Sequence, residues 1–371
     1  MTTETATTVA CERGTTGAAT SNAAQPAWPW RALIVMPTLN EAAHLEAAVS
    51  GLLRGAAQPG AIRLVIVDGG STDGTLALAE RLAREHASVR LLHNPARIQS
   101  VAVNLAVRGF GHDFDVLIRC DAHALYPPAF CARLLETLAY RQADSVVVPL
   151  DSVGHGALQR AVARVSNSPV GTGGAAHRAG HTSGFVDHGH HAAFRMDTFR
   201  NCGGYDETFT HNEDAEFDCR QRALGGRVFL DSAIRVTYHP RASFGGLWRQ
   251  YFCYGAGRSR TARRHPGSLR VRQIALPVHL GVSVIAFAGS PWCPALLLWP
   301  AAYLGLLTLV ALSWAVRQGS LAALLTGPVA LVMHSAWASG FLAGLIQRRE
   351  GVWRPNMTVP LRLAEGLGEP A

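Results

Sequence analysis

Four times between Arg31 and Asp121 a short apolar run stops at a polar turn, and helical spacing separates one run from the next. Arg31–Met36 ends at Pro37-Thr38, and apolar residues at helical intervals fill Asn40 to Leu53. Ile62–Val67 ends at the glycine-rich turn Asp68–Gly74, with a helix over Thr75–His86. Val89–His93 is followed by a helix over Ser100–Arg108, and Val116–Cys120 ends at Asp121. Short apolar runs bounded by turns read as strands, and their alternation with helices predicts a mostly parallel α/β sheet covered on both faces. Ligands of such sheets gather beyond the carboxyl ends of the strands. Pro37, Asp68 and Asp121, far apart in the chain, are therefore expected to meet.

A helix over Ala129–Gln142 and a strand over Ser145–Pro149 extend the pattern. Pro169 to Gly189 is glycine-rich and irregular, which suits a working loop or a disordered lid. Regular structure returns with Phe194–Arg200, a GGYDE turn (Gly203 to Glu207), a helix over Asp214–Leu224, and strands over Arg227–Leu230 and Ile234–Tyr238.

The last third is different in kind. Ile274–Ser290, Trp292–Val316 and Leu321–Ile346 are apolar, and the latter two are long enough to span a bilayer. The first is short and holds Pro277 and His279, so it spans, re-enters or lies at the interface. Two crossings would keep Arg348 and Arg349 on the side of the preceding Arg-rich segment, and three would not; both counts stay open. Every basic residue among the 34 Lys+Arg is Arg, and the net charge is +8. Arg241 to Arg272 holds eight arginines and no acid, directly before the first long apolar run. That placement suits anionic headgroups or a phosphorylated substrate, and no nucleic-acid motif accompanies it. The 7 Cys form no CxxC pair and read as reduced core residues in a cytosolic compartment. Residues 1–29 have no secretory pattern and are expected to be disordered. The expected division is a tail over 1–29, an α/β domain over 30–240, an Arg/aromatic interfacial segment over 241–273, two or three membrane helices over 274–347, and a tail over 348–371.

Three short motifs carry chemistry. In Asp68-Gly-Gly-Ser-Thr-Asp-Gly-Thr75 an acid at a strand end can accept hydrogen bonds from a ribose or base, and glycines let backbone N–H groups approach a ligand; the same letters also fit a tight turn with Ser71 or Asp73 capping the helix. Asp121-Ala-His123 points a carboxylate and an imidazole the same way from extended chain, toward one divalent cation or, more plainly, as a helix cap beside a surface His. Glu213-Asp214 opens a helix whose dipole favours the charged carboxylate, as a general base or as ordinary helix-start acidity. His188-Gly-His190-His191 lacks the spacing of a zinc site and reads as cleft lining or packing. In Gln250–Arg258, aromatic residues beside arginine suit an interfacial helix, with Arg258 able to neutralise a diphosphate.

In order along the chain, MPTLNE (Met36 to Glu41), VDGGSTDGT (Val67 to Thr75), RCDAHA (Arg119 to Ala124), GGYDE, NEDAEFDCRQRALGG (Asn212 to Gly226) and QYFCYGAGR resemble glycosyltransferase family 2, and within it the succinoglycan-biosynthesis glucosyltransferase type. The likeness runs from about Ala32 to about Pro266. It implies a GT-A fold that uses a nucleotide-diphospho-sugar. By this resemblance Pro37, Thr38, Glu41 and Asp68 contact the uridine end of the donor, and Arg97 and Asp121 also belong to the donor site. Asp121 and His123 take the DxD position that binds Mg²⁺ or Mn²⁺, and His stands where the family commonly has Asp. Asp214 matches the catalytic base, with Glu213, His191 and Arg258 on the acceptor or diphosphate side. The QxxRW motif of processive synthases is absent, which implies one sugar per event. The function so implied is a membrane-bound inverting glycosyltransferase of the inner membrane, its catalytic domain cytoplasmic, acting on a lipid-linked saccharide with other polysaccharide-assembly proteins as possible partners. The alternative is a non-catalytic subunit that binds nucleotide-sugar or scaffolds an assembly complex. A nucleotidyltransferase would want a basic phosphate loop after the first strand, and MPTLNE offers none.

Overall fold

The computed structural model describes residues 30–54, 61–174, 182–347 and 353–355. The tails expected over 1–29 and 348–371 lie outside the described residues, apart from 353–355, as do 175–181 of the expected loop. In chain order the first half is β1 (Ala32–Thr38), α1 (Leu45–Leu53), β2 (Ile62–Asp68), α2 (Thr75–Glu85), β3 (Val89–His93), α3 (Gln99–Phe110), β4 (Val116–Arg119), β5 (Ala124–Leu125), α4 (Phe130–Arg141), β6 (Ser145–Val147), β7 (Leu150–Ser152) and α5 (Ala157–Ser166). There follow α6 (Pro169–Thr172), β8 (Gly184–Val186), β9 (His191–Arg195), α7 (Met196–Asn201), α8 (Glu213–Ala223), β10 (Val228–Leu230), β11 (Val236–Tyr238), α9 (Phe244–Arg264), α10 (Val271–Gly289), α11 (Leu298–Gln318) and α12 (Thr326–Ile346).

The main sheet has the order β3-β2-β1-β4-β9-β6-β10-β8. Pairing is parallel from β3 through β4 and between β6 and β10, while β9 runs antiparallel between β4 and β6 and β8 antiparallel at the edge. The alternation of side chains along each strand divides the core. Ile34, Met36, Leu64, Ile66 and Ile118 pack on one face, and Leu33, Val35, Val65, Val67 and Leu117 on the other. The expected parallel sheet is thus present. The segment expected to be irregular over 169–189 holds α6 and β8, and the regular structure expected over 194–200 is the end of β9 followed by α7.

Two local devices aim the strand ends. Parallel register sets Thr38 opposite Asp68, so both polar termini lie side by side. At the start of α2, Gly74 takes φ +92° and Asp73 accepts from Thr75 N at 3.1 Å, which turns the chain sharply into the helix. On the opposite core face Phe194, Phe199, Tyr205 and Phe217 interlock with ring centroids 5.2–6.1 Å apart. This cluster supports α8 from below. Asn104 of α3 then fixes the GGYDE turn, donating to Tyr205 O at 2.8 Å and accepting from Tyr205 N at 2.9 Å.

Truncating Phe217→Ala is expected to cost about 3–5 kcal/mol of stability through the cavity left in this cluster. Leu224→Ala, at a position 67% exposed just past α8, is expected to change stability by less than about 0.5 kcal/mol. Midpoints of thermal unfolding in detergent, compared with the wild-type protein, check both.

Candidate active site

Arg119, the last residue of β4, is only 8% exposed, and the strand's apolar run delivers its guanidinium to the carboxyl edge of the sheet. Its Nη2 donates to Asp121 Oδ1 at 2.9 Å, and Gln99, in the amide orientation that pairs donor with acceptor, takes its Nε–H at 2.8 Å. Glu213 and Asp214 at the head of α8 lie close enough for their charges to act on the same guanidinium. Burial works against the charge, but these carboxylates outweigh it and hold Arg119 above the ordinary arginine range.

Asp121 responds in the opposite sense. Burial pushes its carboxyl up, yet Arg119 and the His190 imidazole, 3.5 Å from Oδ2, hold it well below the usual carboxylate range. Its backbone is pinned as well: Asp121 N donates to Tyr126 Oη at 2.6 Å, and that hydroxyl donates to Asp121 O at 2.9 Å. Glu213 is buried, and burial together with the charge of Asp214 raises its pKa, only partly offset by Arg119. Asp214, one residue on, is half-buried in the first turn of α8 and accepts from the Ala215 backbone at 2.7 Å. The ends of β4 and α8 therefore gather several carboxylates around one cation.

His123 Nδ1 lies 2.8 Å from Glu41 Oε1. Burial lowers the imidazole's pKa, but Glu41 and Asp121 outweigh it and raise it overall. A carboxylate behind Nδ1 fixes the tautomer and leaves Nε2 for a cation, which is the usual setting of a metal-ligating histidine. Among the described residues no group of three or more His, Cys, Asp and Glu side chains forms a ready metal set. Asp121 and His123 fit as the protein's share of a site that a ligand's oxygens would complete.

The other predicted residues divide. Asp68 is buried, and its carboxylate accepts from Gly70 N at 2.8 Å, Ser71 N at 3.0 Å and Ser71 Oγ at 2.5 Å, with Thr38 Oγ1 at 3.4 Å. Arg97, at φ +59°, donates to Gly69 O and Gly70 O at 2.9 Å each, so it braces the same turn. Pro37 and Thr38 flank that turn on β1. Arg258 is buried in α9 and donates to the backbone of Ser268, with Asp214 near enough for its charge to act on it. His191 sits on β9, and its side chain falls outside the described part. Sequence reasoning missed Arg119 and Gln99, although a lone Arg closing an apolar strand was a usable signal. Of the histidines read as cleft lining or packing, His190 lies 3.5 Å from Asp121 Oδ2, and His188 lies 2.7 Å from the buried Asp218 Oδ2; burial lowers the pKa of His188 and that pairing outweighs it.

These features gather Arg119, Asp121, His123 and Glu41 at the carboxyl edge of the sheet. The sequence pattern of Glycosyl transferase family 2 matches residues 33–203. The succinoglycan biosynthesis protein ExoA of Rhizobium meliloti (strain 1021) is 44% identical over 326 residues, covering 86% of this chain and 96% of that protein. The polyprenol monophosphomannose synthase of Mycolicibacterium smegmatis is 32% identical over 29% of this chain and 41% of its own length. Among solved structures, the mannosyltransferase PcManGT from Pyrobaculum calidifontis in complex with GDP-Man and Mn²⁺ shares the fold, with TM-score 0.54, 21% identity, and coverage of 86% of this chain and 88% of that one. The chain belongs to glycosyltransferase family 2, and its sheet domain has the GT-A fold.

Replacing Glu41 with Gln is expected to lower the pKa of His123 toward its ordinary value, read by NMR titration of the imidazole. Because the folded pKa is raised, the stability lost in Glu41→Gln should be greatest below about pH 6.5 and fade as pH rises through the raised value. Denaturation midpoints of both proteins across pH check the sign.

Proposed function

We propose that this protein transfers a sugar from a nucleotide-diphospho-sugar, a UDP-sugar, to a lipid-linked saccharide at the cytoplasmic face of the inner membrane, in cell-surface polysaccharide or glycolipid synthesis. The observation that carries the reading is the placement of Asp121, held by Arg119 at the carboxyl edge of the sheet, two residues before His123, whose Nδ1 is backed by Glu41. Family membership supports the chemistry, and the name of the Rhizobium relative supports the pathway class. Among the described residues, three helices long and apolar enough to cross a membrane support its setting.

In this reading the nucleoside end rests on the Pro37–Thr38 and Asp68 turn, where Arg97 holds the glycine backbone in place. Asp121 and His123 would hold a divalent cation, Mg²⁺ or Mn²⁺, with Glu41 orienting His123; bound there, such an ion would supply charge neutralisation for the departing diphosphate. Asp214 takes the proton of the acceptor hydroxyl as that oxygen attacks the anomeric carbon from the opposite face, which inverts the configuration. Glu213 beside it is raised in pKa by burial and by the charge of Asp214. Arg119 keeps the cluster from repelling itself apart.

Membranes carrying the protein are expected to move labelled sugar from a nucleotide-sugar panel, UDP-glucose first, into extractable lipid. EDTA should stop the transfer and Mn²⁺ or Mg²⁺ restore it, while Asp214→Asn lowers the rate by roughly 10²- to 10⁴-fold with donor binding retained. Donor binding without transfer, unchanged by Asp214→Asn, would instead mark a non-catalytic subunit.

A further inference from the structure

We infer that α10 and α11 cross the membrane as one helical hairpin while α12 stays on the side of the catalytic domain, so that the chain crosses twice and its C-terminal segment returns to the catalytic face. The inference rests on the membrane reading above and decides which of the three apolar helices meets lipid.

The chain leaves the catalytic domain at a defined place. Arg264 pairs with Asp206, His265 Nε2 lies 3.2 Å from Glu216 Oε1, and Arg270 pairs with Asp187, immediately before α10 begins. It comes back to the same place after α12. Arg220 grips the buried Glu216 through Nε–Oε1 at 2.9 Å and Nη2–Oε2 at 2.7 Å, and its guanidinium lies 4.6 Å from the ring centroid of Trp353. Trp353 and Pro355 also close over Gly203, where an added Cβ would lie 2.6 Å from Pro355 Cβ. Exit and return therefore meet on one ion pair, His265 on Glu216 and Trp353 on Arg220. A chain that leaves one face of a bilayer and returns to it crosses an even number of times. With three helices of spanning length between those points, at least one does not cross.

Packing identifies that helix. Of the most apolar stretch of α12, 44% is buried, against 17% in α10 and 17% in the segment containing α11. No residue from Val329 to Gly344 is exposed. α12 lies against α9, backbone to backbone: Gly340 is set on the carbonyl of Phe252, Gly255 on that of Trp337, and Gly344 on Ala256 and Ser259. Its other contacts include Val162 and Val165 of α5, and His334 Nε2 meets Val170 O at 2.7 Å. Leu331, Val332, Ser335, Ser339 and Leu342 keep a partly exposed stripe, so α12 is not wholly covered, but it is the most enclosed of the three helices and has the least surface left for lipid.

α10 and α11 have the reverse pattern. Val284, Ile285 and Phe287 on one and Leu306, Leu309 and Val316 on the other stand exposed, a larger apolar area than a water-facing surface tolerates. Charge sets their direction. Arg270 and Arg272 stand at the foot of α10 and Arg317 at the foot of α11, whereas the tip from Ser290 to Leu297 carries no charge and presents Trp292 at 84% exposure. Arginines at both feet belong on the cytoplasmic side, and an exposed Trp at the tip suits the far interface.

Cys293 at that tip is exposed and serves as a native reporter. A membrane-impermeant maleimide is applied to sealed vesicles of each orientation, with Cys293→Ser as the blank, Gln347→Cys in that background as the second reporter, and trypsin cleavage of the catalytic domain marking its face. Cys293 should label only from the face opposite the catalytic domain, and Gln347→Cys only from the same face as it. Labelling of Gln347→Cys from the opposite face would mean three crossings, and labelling of Cys293 from the catalytic face would mean that the hairpin does not cross; either overturns the inference. Release of the whole protein by alkaline carbonate would instead overturn the membrane reading itself, which separates the two failures.

Discussion

A guanidinium closed inside the end of a sheet needs negative charge around it, and Arg119 organises this domain through that need. Leaving such a charge without partners costs about 3–5 kcal/mol, so β4, α3 and α8 are bound to arrive with acceptors. Asp121 meets it from the next turn of chain and Gln99 from the head of α3, while Glu213 and Asp214 at the head of α8 lie near enough for their charges to act on it. The converse holds too. Carboxylates crowded at one edge would repel one another without a cation between them, and the first turn of α8 could not settle against β4. The charges at the end of β4 and at the head of α8 are thereby balanced at one edge of the sheet.

The same economy of contact ties the catalytic edge to the apolar layer. α9 holds the loop that leads into α8 at successive points: Arg264 on Asp206, Arg260 on Thr208 O at 2.6 Å, and Thr261 on Asn212 at 3.0 Å. α12 then lies along the opposite side of α9, and α10 and α11 lie outside α12.

Much of this was legible in the sequence for a simple reason: strands buried on both faces and their terminal turns are local features. Asp68 is readable because the glycines and Ser71 that satisfy its carboxylate follow it within three residues. The parts that were not legible depend on partners distant in the chain. β9 inserts antiparallel between β4 and β6, a choice made by pairing across 44 to 79 residues and not by its own letters. Arg258 looked like a free cation for a diphosphate, and its guanidinium is bound to Ser268 through a turn that sequence spacing does not reveal. α12 has the hydropathy of a span, but hydropathy counts composition and is blind to whether lipid or protein covers the helix.

The account stands on the claim that Asp121 and His123 hold the donor's cation while Asp214 stays free of it to act on the acceptor. A structure of the protein with UDP and Mn²⁺, with the metal located by its anomalous signal, tests this directly. The account predicts a Mn²⁺ peak bound to the Asp121 carboxylate, the uracil against the Asp68 turn, and Asp214 outside the coordination shell. A peak remote from Asp121, or one ligated by Asp214, would contradict it.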